Sequence, residues 1–281
     1  MLRSENVRGF VDQASLAVKN LLFPAFCRAC DARILTEENL YYCPRCWSEI
    51  RLIERPFCSV CGKPHDKAAG FVARDSFPCA ECREIKRRPY GRMYAATVYD
   101  GLARDAIALF KYGSRELLVG PLAALMAEFV EREIDLTKYD VVVPVPLHRV
   151  RERERGFNQA EALARRFSEQ FGFLAVENCL VRARETPQQT RLRGDERRRN
   201  IKGAFALAQE PDLRRKKVLL VDDVITTGAT AEECARTLRR GGAERVDVLA
   251  VARTVDMEKD YWISARVSVT SKADSLRRPE R

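Results

Sequence analysis

The sequence predicts an α/β protein, a parallel sheet flanked by helices with a small cysteine-rich module in front of it. Three observations carry that expectation. From Met93 onward, β-branched runs alternate with stretches of helical apolar spacing, the order that builds parallel strands with helical crossovers. Eight of the ten cysteines fall between Cys27 and Cys82, in four Cys-x-x-Cys pairs. The apolar run Val218-Leu219-Leu220-Val221 leads into two acids and then a turn rich in threonine with one glycine.

A chain of 281 residues with 46% apolar content is long enough for one core of ordinary size and a smaller module beside it. Its 50 Lys and Arg outnumber 40 Asp and Glu, a field that favours phosphates or other polyanions without naming which. The early apolar stretch Val7 to Phe26 is interrupted by Arg8, Asp12 and Lys19. It therefore suits neither a membrane span nor a secretory leader, and the expected location is cytoplasmic. The organisation that follows is a helix within 1–26, the cysteine module over 27–90, an α/β domain over 91–256 and a tail over 257–281.

Within the first segment Val7, Phe10, Val11, Ala14, Leu21 and Leu22 have approximately helical spacing. The α/β domain begins with a strand at Ala95–Tyr99. Helices are expected at Ala103–Tyr112 and Leu117–Val130, and the run Val141-Val142-Val143 reads as a buried strand. A helix is expected over Asn158–Phe171 and a strand near Val176–Val181. An Arg-rich segment extends to Lys202, and the strand Val218–Val221 follows it. The helix at Ala229–Arg240 stops at Gly241-Gly242, and Val246–Ala252 reads as the last buried strand.

The cysteine pairs are Cys27/Cys30, Cys43/Cys46, Cys58/Cys61 and Cys79/Cys82. Two intervening residues let both thiolates of a tight turn reach one tetrahedral ion, and two pairs complete a site. Twelve residues separate the pairs of the first unit and seventeen those of the second, close to zinc-ribbon spacing. Redox disulfides are the competing reading, but one motif suffices for exchange chemistry and here there are four. The expectation is two structural Zn2+ sites with four thiolates each. Cys179 and Cys234 sit in apolar patterns and read as core residues.

The segment Val218 to Thr230 carries the chemistry. Carboxylates at the end of a strand, Asp222 and Asp223, accept hydrogen bonds from the hydroxyls of a sugar. The turn Thr226-Thr227-Gly228-Ala229-Thr230 offers hydroxyls and free backbone N–H groups at a helix start, with Gly228 permitting close approach, an arrangement suited to a phosphate. The plainer alternative is that the acids cap a turn after the strand.

This thirteen-residue segment resembles the phosphoribosyl diphosphate signature of the type I phosphoribosyltransferases. Lys111-Tyr112-Gly113-Ser114, Val143 to Arg149 (Val-Pro-Val-Pro-Leu-His-Arg), Arg155-Gly156-Phe157-Asn158-Gln159 and Arg199 to Phe205 (Arg-Asn-Ile-Lys-Gly-Ala-Phe) resemble the ComF branch of that family. That branch also carries an amino-terminal double zinc ribbon. The resemblance spans Cys27 to Arg253. It implies a phosphoribosyltransferase-like sheet that takes phosphoribosyl diphosphate with Mg2+, and a role with single-stranded DNA in DNA uptake beside a competence helicase. It also implies a loop from Val145 that holds the diphosphate.

On that loop and nearby, Lys111, His148, Arg149 and Arg155 are the candidates for diphosphate contacts. A solvated face neutralised by Glu152 and Glu154 is the alternative. Between Arg182 and Lys202 eight basic residues face three acids. That segment reads either as a lid over the diphosphate or as a track for a nucleic-acid backbone, and the sequence does not choose between them. Catalytic transfer of ribose 5-phosphate to a nitrogen acceptor is the other function the resemblance allows; no acceptor-binding segment is recognisable.

Overall fold

The computed structural model describes residues 24–255 apart from 37, 66–75, 86, 113–115, 173, 185–193 and 209–211. Most of the helix expected within 1–26, and the tail over 257–281, lie outside the described residues; the described end of the first segment, Ala25–Phe26, is a strand paired with Arg33–Ile34 and not helix. The cysteine module contains strands β1 (Ala25–Phe26) and β2 (Arg33–Ile34) and short helices α1 (Pro44–Trp47) and α2 (Ala80–Glu84). There follow β3 (Met93–Val98), α3 (Gly101–Tyr112), α4 (Val119–Glu133), β4 (Val141–Pro144), α5 (Arg149–Arg155), α6 (Gln159–Phe171) and β5 (Ala175–Val176). The chain continues through β6 (Leu180–Arg182), α7 (Gly194–Ile201), β7 (Phe205–Leu207), β8 (Lys217–Ile225), α8 (Ala229–Arg240) and β9 (Arg245–Arg253).

Five strands form one parallel sheet in the order β3-β9-β8-β4-β5. Its central strands are apolar at nearly every position because both faces are covered. Leu219, Val221, Leu249 and Val251 point to one face, against Ile107 and Phe110 of α3, Met126 and Phe129 of α4, and Leu163 and Phe167 of α6. Val218, Leu220, Val246 and Val248 point to the other, against Cys234, Ala235 and Leu238 of α8 and Phe205 of β7. Cys179 and Cys234 are both buried in this second layer.

The connection from β4 through α6 moves outward to β5, whereas β8 through α8 moves the opposite way to β9. The two helices therefore leave adjacent strands onto opposite faces, which opens a crevice at the carboxyl ends of β4 and β8.

Two places differ from the sequence expectation. The apolar run near 176–181 is divided, because Glu177 and Asn178 turn away to bond Lys216 and Glu161 at 3.1 and 2.8 Å. β6 then pairs antiparallel with β7 instead of joining the sheet. Helix α5 also forms where a loop was expected; its sequence Arg-Val-Arg-Glu-Arg-Glu-Arg buries nothing, so no apolar period announces it.

The cysteine module is joined to the sheet through main chain. Ile53 N–H donates to Ala96 O at 2.8 Å and Val98 N–H to Arg51 O at 2.9 Å, with an antiparallel bridge between Leu52 and Thr97. This pairing seals the edge that β3 would otherwise expose. Ile34, Tyr42, Ile50, Ile53 and Phe57 continue the core of the first face. The Phe57 and Tyr94 rings both pack on Phe129, at 5.9 and 6.2 Å.

The thiolate groups gather as the spacing predicts. Cys27, Cys30, Cys43 and Cys46 form one cluster and Cys58, Cys61, Cys79 and Cys82 another, each with its sulfurs within 4.8 Å of one another. Sulfur separations of 3.7 Å (Cys30–Cys43) and 3.9 Å (Cys61–Cys79) are far from a disulfide. They match the edge of about 3.8 Å of a tetrahedron with Zn–S bonds of about 2.3 Å, so the donors fit zinc. The Cys61 thiol and the amides of Val60, Cys61 and Cys79 direct hydrogen bonds at Cys58 Sγ, and these push its pKa down to about 4 against the effect of burial. His65 is not in either cluster; it stacks on Phe77 at 4.1 Å and bonds its carbonyl.

One buried acid braces the sheet. Asp247 on β9 is 1% exposed and accepts from Tyr139 Oη at 2.7 Å, Arg245 Nε at 2.9 Å and the Arg92 amide at 2.7 Å. Replacing it by alanine leaves these donors unmet and should cost about 3 kcal/mol in urea unfolding; a loss below about 1 kcal/mol would mean that water replaces the carboxylate. For the metal sites, Cys58→Ser should lower zinc content from two ions per chain to one by elemental analysis, while Cys234→Ser leaves it at two.

Candidate functional site

A pocket of about 480 Å³ occupies the crevice between β4 and β8. Its floor is the end of β8. Asp222 and Asp223 are adjacent there and partly buried, and the Asp223 amide donates to Asp222 Oδ1 at 2.8 Å. Lys111, on the last turn of α3, places Nζ 2.9 Å from Asp223 Oδ1. Burial works against the Lys111 ammonium, but the charge and hydrogen bond of Asp223 outweigh it and raise its pKa. Asp222 bears the opposite imbalance. Burial and the neighbouring Asp223 charge push it from 3.8 up to about 7, with Lys111 and Arg182 opposing.

The turn after the acids has the geometry of a phosphate cradle. Gly228 has φ of 79°, the left-handed region that favours glycine, and caps α8. A side chain there would also meet Met93, 3.1 Å from its Cε. Thr227 Oγ1 accepts from the Ala229 amide at 3.4 Å, and Thr254 braces the turn through Ile225 O at 3.0 Å and Thr226 O at 3.3 Å. Thr226, Gly228, Ala229 and Thr230 line the pocket, at the positive end of α8; Thr227, expected among the phosphate contacts, does not line it.

The wall contributed by β4 is built differently. Val145 N–H donates to Val221 O at 2.9 Å, holding the loop to β8, and Asn158 Nδ2 donates to Val145 O at 3.2 Å from the other side. His148 caps α5, its Nδ1 accepting from Val150 N at 3.4 Å, and its ring reaches the pocket. Arg155, on the last turn of α5, lies over the Tyr112 ring at 5.1 Å and donates to Gln159 Oε1 at 2.9 Å.

Of the residues singled out from the sequence, Lys111, His148, Arg155, Asp222, Asp223, Thr226, Gly228, Ala229 and Thr230 converge on this pocket. Arg149 does not line it; its side chain is exposed on α5 near Glu152 and Arg153. The pocket also includes Tyr99, Tyr112, Arg151, Gln159, Arg182 and Thr254, which sequence reasoning did not assign. Arg182 arrives from the β6–β7 pair, with its guanidinium 5.7 Å from the Phe205 ring. Only the topology brings that pair to the crevice. Gln159 stood within the motif at 155–159 and had no role attached to it.

Comparison with known proteins agrees with this construction. Residues 18–83 match the double zinc ribbon domain and residues 119–267 the phosphoribosyl transferase domain. Competence protein F of Haemophilus influenzae is 31% identical over 216 residues, 75% of this chain and 90% of that protein. DNA utilization protein YhgH of Salmonella typhimurium is 32% identical over 201 residues, covering 70% and 84%. Competence protein ComFC of Bacillus subtilis is 26% identical over 236 residues, covering 79% and 88%. No helix among the described residues is long and apolar enough to cross a membrane. With the zinc ribbons and the phosphoribosyl transferase domain in one chain, and relatives matched over most of their length, this protein belongs to the ComF family.

Proposed function

We propose that the crevice binds phosphoribosyl diphosphate together with Mg2+, and that the protein binds single-stranded DNA during DNA uptake. The convergence of the acid pair, the threonine-glycine turn and Lys111 in one pocket carries the first part. A 5-phosphate accepts hydrogen bonds from the Thr226–Thr230 turn at the start of α8. The ribose hydroxyls donate to Asp222 and Asp223. The diphosphate, with its accompanying metal, faces Lys111, His148 and Arg155 on the other wall.

Two observations support the second part. The curated relatives are named for competence and DNA utilization. A separate groove of about 530 Å³ between α7 and α8 is lined by Arg198, Arg199, Lys202, Arg236 and Arg240 against Glu232 and Glu233. Arg236 is engaged by both glutamates, which leaves a surplus of positive charge beside Ala229, a residue the groove shares with the main pocket. Arg197, the third member of the basic run, has a side chain outside the described residues.

Transfer of ribose 5-phosphate to a nitrogen acceptor, with release of diphosphate, is the second reading. The uninterrupted acid pair and turn favour it. In that reaction the basic wall would stabilise the departing diphosphate while the carboxylates steady the ribose as positive charge develops at its anomeric carbon.

Calorimetric titration of the zinc-replete protein tests both ligands. Phosphoribosyl diphosphate with Mg2+ should bind, and replacing Asp222 and Asp223 together by alanine should abolish that binding while leaving affinity for single-stranded DNA intact. Neutralising Arg198 and Arg199 should have the converse effect, weakening DNA binding about tenfold and flattening its salt dependence by about one unit per lost phosphate contact. An acid-pair variant that retains full ligand affinity would remove the pocket assignment.

The titration of Asp222 supplies an independent check. An acid whose pKa is raised on folding favours the fold below its ordinary value of 3.8, and that contribution is lost as pH climbs through about 7. Asp222→Asn should therefore stabilise the ligand-free protein at pH 8 by about 2 kcal/mol, the full shift being discounted for water that reaches the pocket. At pH 4 the gain should vanish. An equal effect at both pH values would show that the charge of Asp222 is not the cause.

A further inference from the structure

Gln159 opens α6 and is 1% exposed. Its Oε1 accepts from Arg155 Nη1 at 2.9 Å, and this fixes the amide, because the flipped orientation would set two donors against each other. The other end of the amide therefore points away from Arg155. There Nε2 is buried and makes no hydrogen bond, in a side chain that lines the pocket. Leaving a buried amide donor unmet is costly, and folded proteins seldom do so without a reason.

The position of this donor suggests what meets it. The start of α6 lies on the β4 side of the crevice and the start of α8 on the β8 side, each capped toward the pocket, α6 by Asn158 Oδ1 accepting from Ala160 N at 3.1 Å. The β8 side already holds carboxylates for a sugar and a turn for one phosphate. On the β4 side, Gln159 stands beside Arg155 and in the same wall as His148 and Arg151, where acceptor oxygens of high negative charge are the natural counterpart.

We propose that Gln159 is a ligand-contacting specificity residue whose Nε2 donates to a non-bridging oxygen of the diphosphate, while its Oε1 holds Arg155 over Tyr112 for the same group. The assignment rests on the phosphoribosyl diphosphate reading of the pocket. An amide adds a directed donor without adding charge, so it distinguishes the placement of an oxyanion where a further cation would reward any anion.

The test compares zinc-replete wild type with Gln159→Leu and Gln159→Glu, using Mg2+ with phosphoribosyl diphosphate, Mg2+ with inorganic diphosphate, and ribose 5-phosphate as calorimetric ligands. Leucine should weaken the two diphosphate ligands about tenfold. Glutamate, which repels the phosphate and also captures Arg155, should weaken them further. Ribose 5-phosphate should change by less than about twofold in both variants, and the leucine variant should melt close to wild type, since the unmet donor it removes offsets the bond to Arg155 that it loses. Equal loss for all three ligands would reduce Gln159 to a structural support, and unchanged diphosphate affinity would overturn the proposal outright. Failure of wild type to bind phosphoribosyl diphosphate would instead overturn the pocket reading and this assignment with it.

Discussion

Two adjacent carboxylates at the end of one buried strand are the constraint around which this molecule is arranged. β8 carries Asp222 and Asp223 to the middle of a sheet covered on both faces, where neither acid can turn fully to water. Lys111 compensates one of them from α3, and the cost of the pair then falls on Asp222. Like charges this close do not both ionise readily in a partly desolvated site. A sugar bearing two hydroxyl donors would offer Asp222 what the protein withholds, and the instability of the free pocket would then become affinity for such a ligand.

The zinc ribbons serve that arrangement from a distance. Their main chain seals the β3 edge at residues 51–53, and their apolar side chains extend the core against α4. A second connection is more local. The Met93 amide donates to Val60 O, inside the second thiolate knuckle, at 2.8 Å, and the Met93 side chain packs beneath Gly228 in the turn before α8. Gly62 lies so close that a side chain on it would strike Met93 O. A metal site that fixes the knuckle thereby fixes one support of the turn, which gives the module a mechanical reason to share a chain with the pocket.

What the sequence disclosed and what it hid divide along physical lines. The sheet was legible because strands buried on both faces must be apolar throughout, as Val141–Val143 and Val218–Val221 are. α8 was legible to the residue, since Gly228 and Gly241-Gly242 bracket an apolar stripe. The thiolate clusters followed from spacing alone. α5 was not legible, because a helix that buries nothing leaves no period to read. The single strand expected near Val176–Val181 became β5 and β6, and β7 was missed, for a related reason: strands of two or three residues carry too few alternations, and the β6–β7 pairing spans the Arg-rich segment. Arg182 entered the site through that pairing and Tyr99 through the carboxyl end of β3 beside β9, and a linear reading has no access to either. Gln159 lay in plain view within a motif, but its significance depends on which way Arg155 turns its amide.

Departures from ordinary folding rules are scattered through the molecule, but several kinds meet in one place. Elsewhere among the described residues the exceptions stand apart from one another: unmet groups on Asn39, Ser168 and the buried Arg253, and left-handed backbone at Asp31 and Arg215. At the carboxyl ends of β4 and β8 three different kinds coincide: an acid held near neutrality against its ordinary pKa, a left-handed glycine pressed on a methionine, and a buried amide donor with nothing to donate to. A sequence whose local preferences otherwise agree with its fold tolerates such conflicts where a ligand resolves them. Each conflict here asks for a different part of one molecule: hydroxyl donors for the acid, a close phosphate for the glycine turn, an oxyanion for the amide. A single flat or uniformly charged surface would answer only one of these demands, so a polyanion such as DNA does not by itself account for the pocket, and the basic groove that meets it at Ala229 is a chemically different surface.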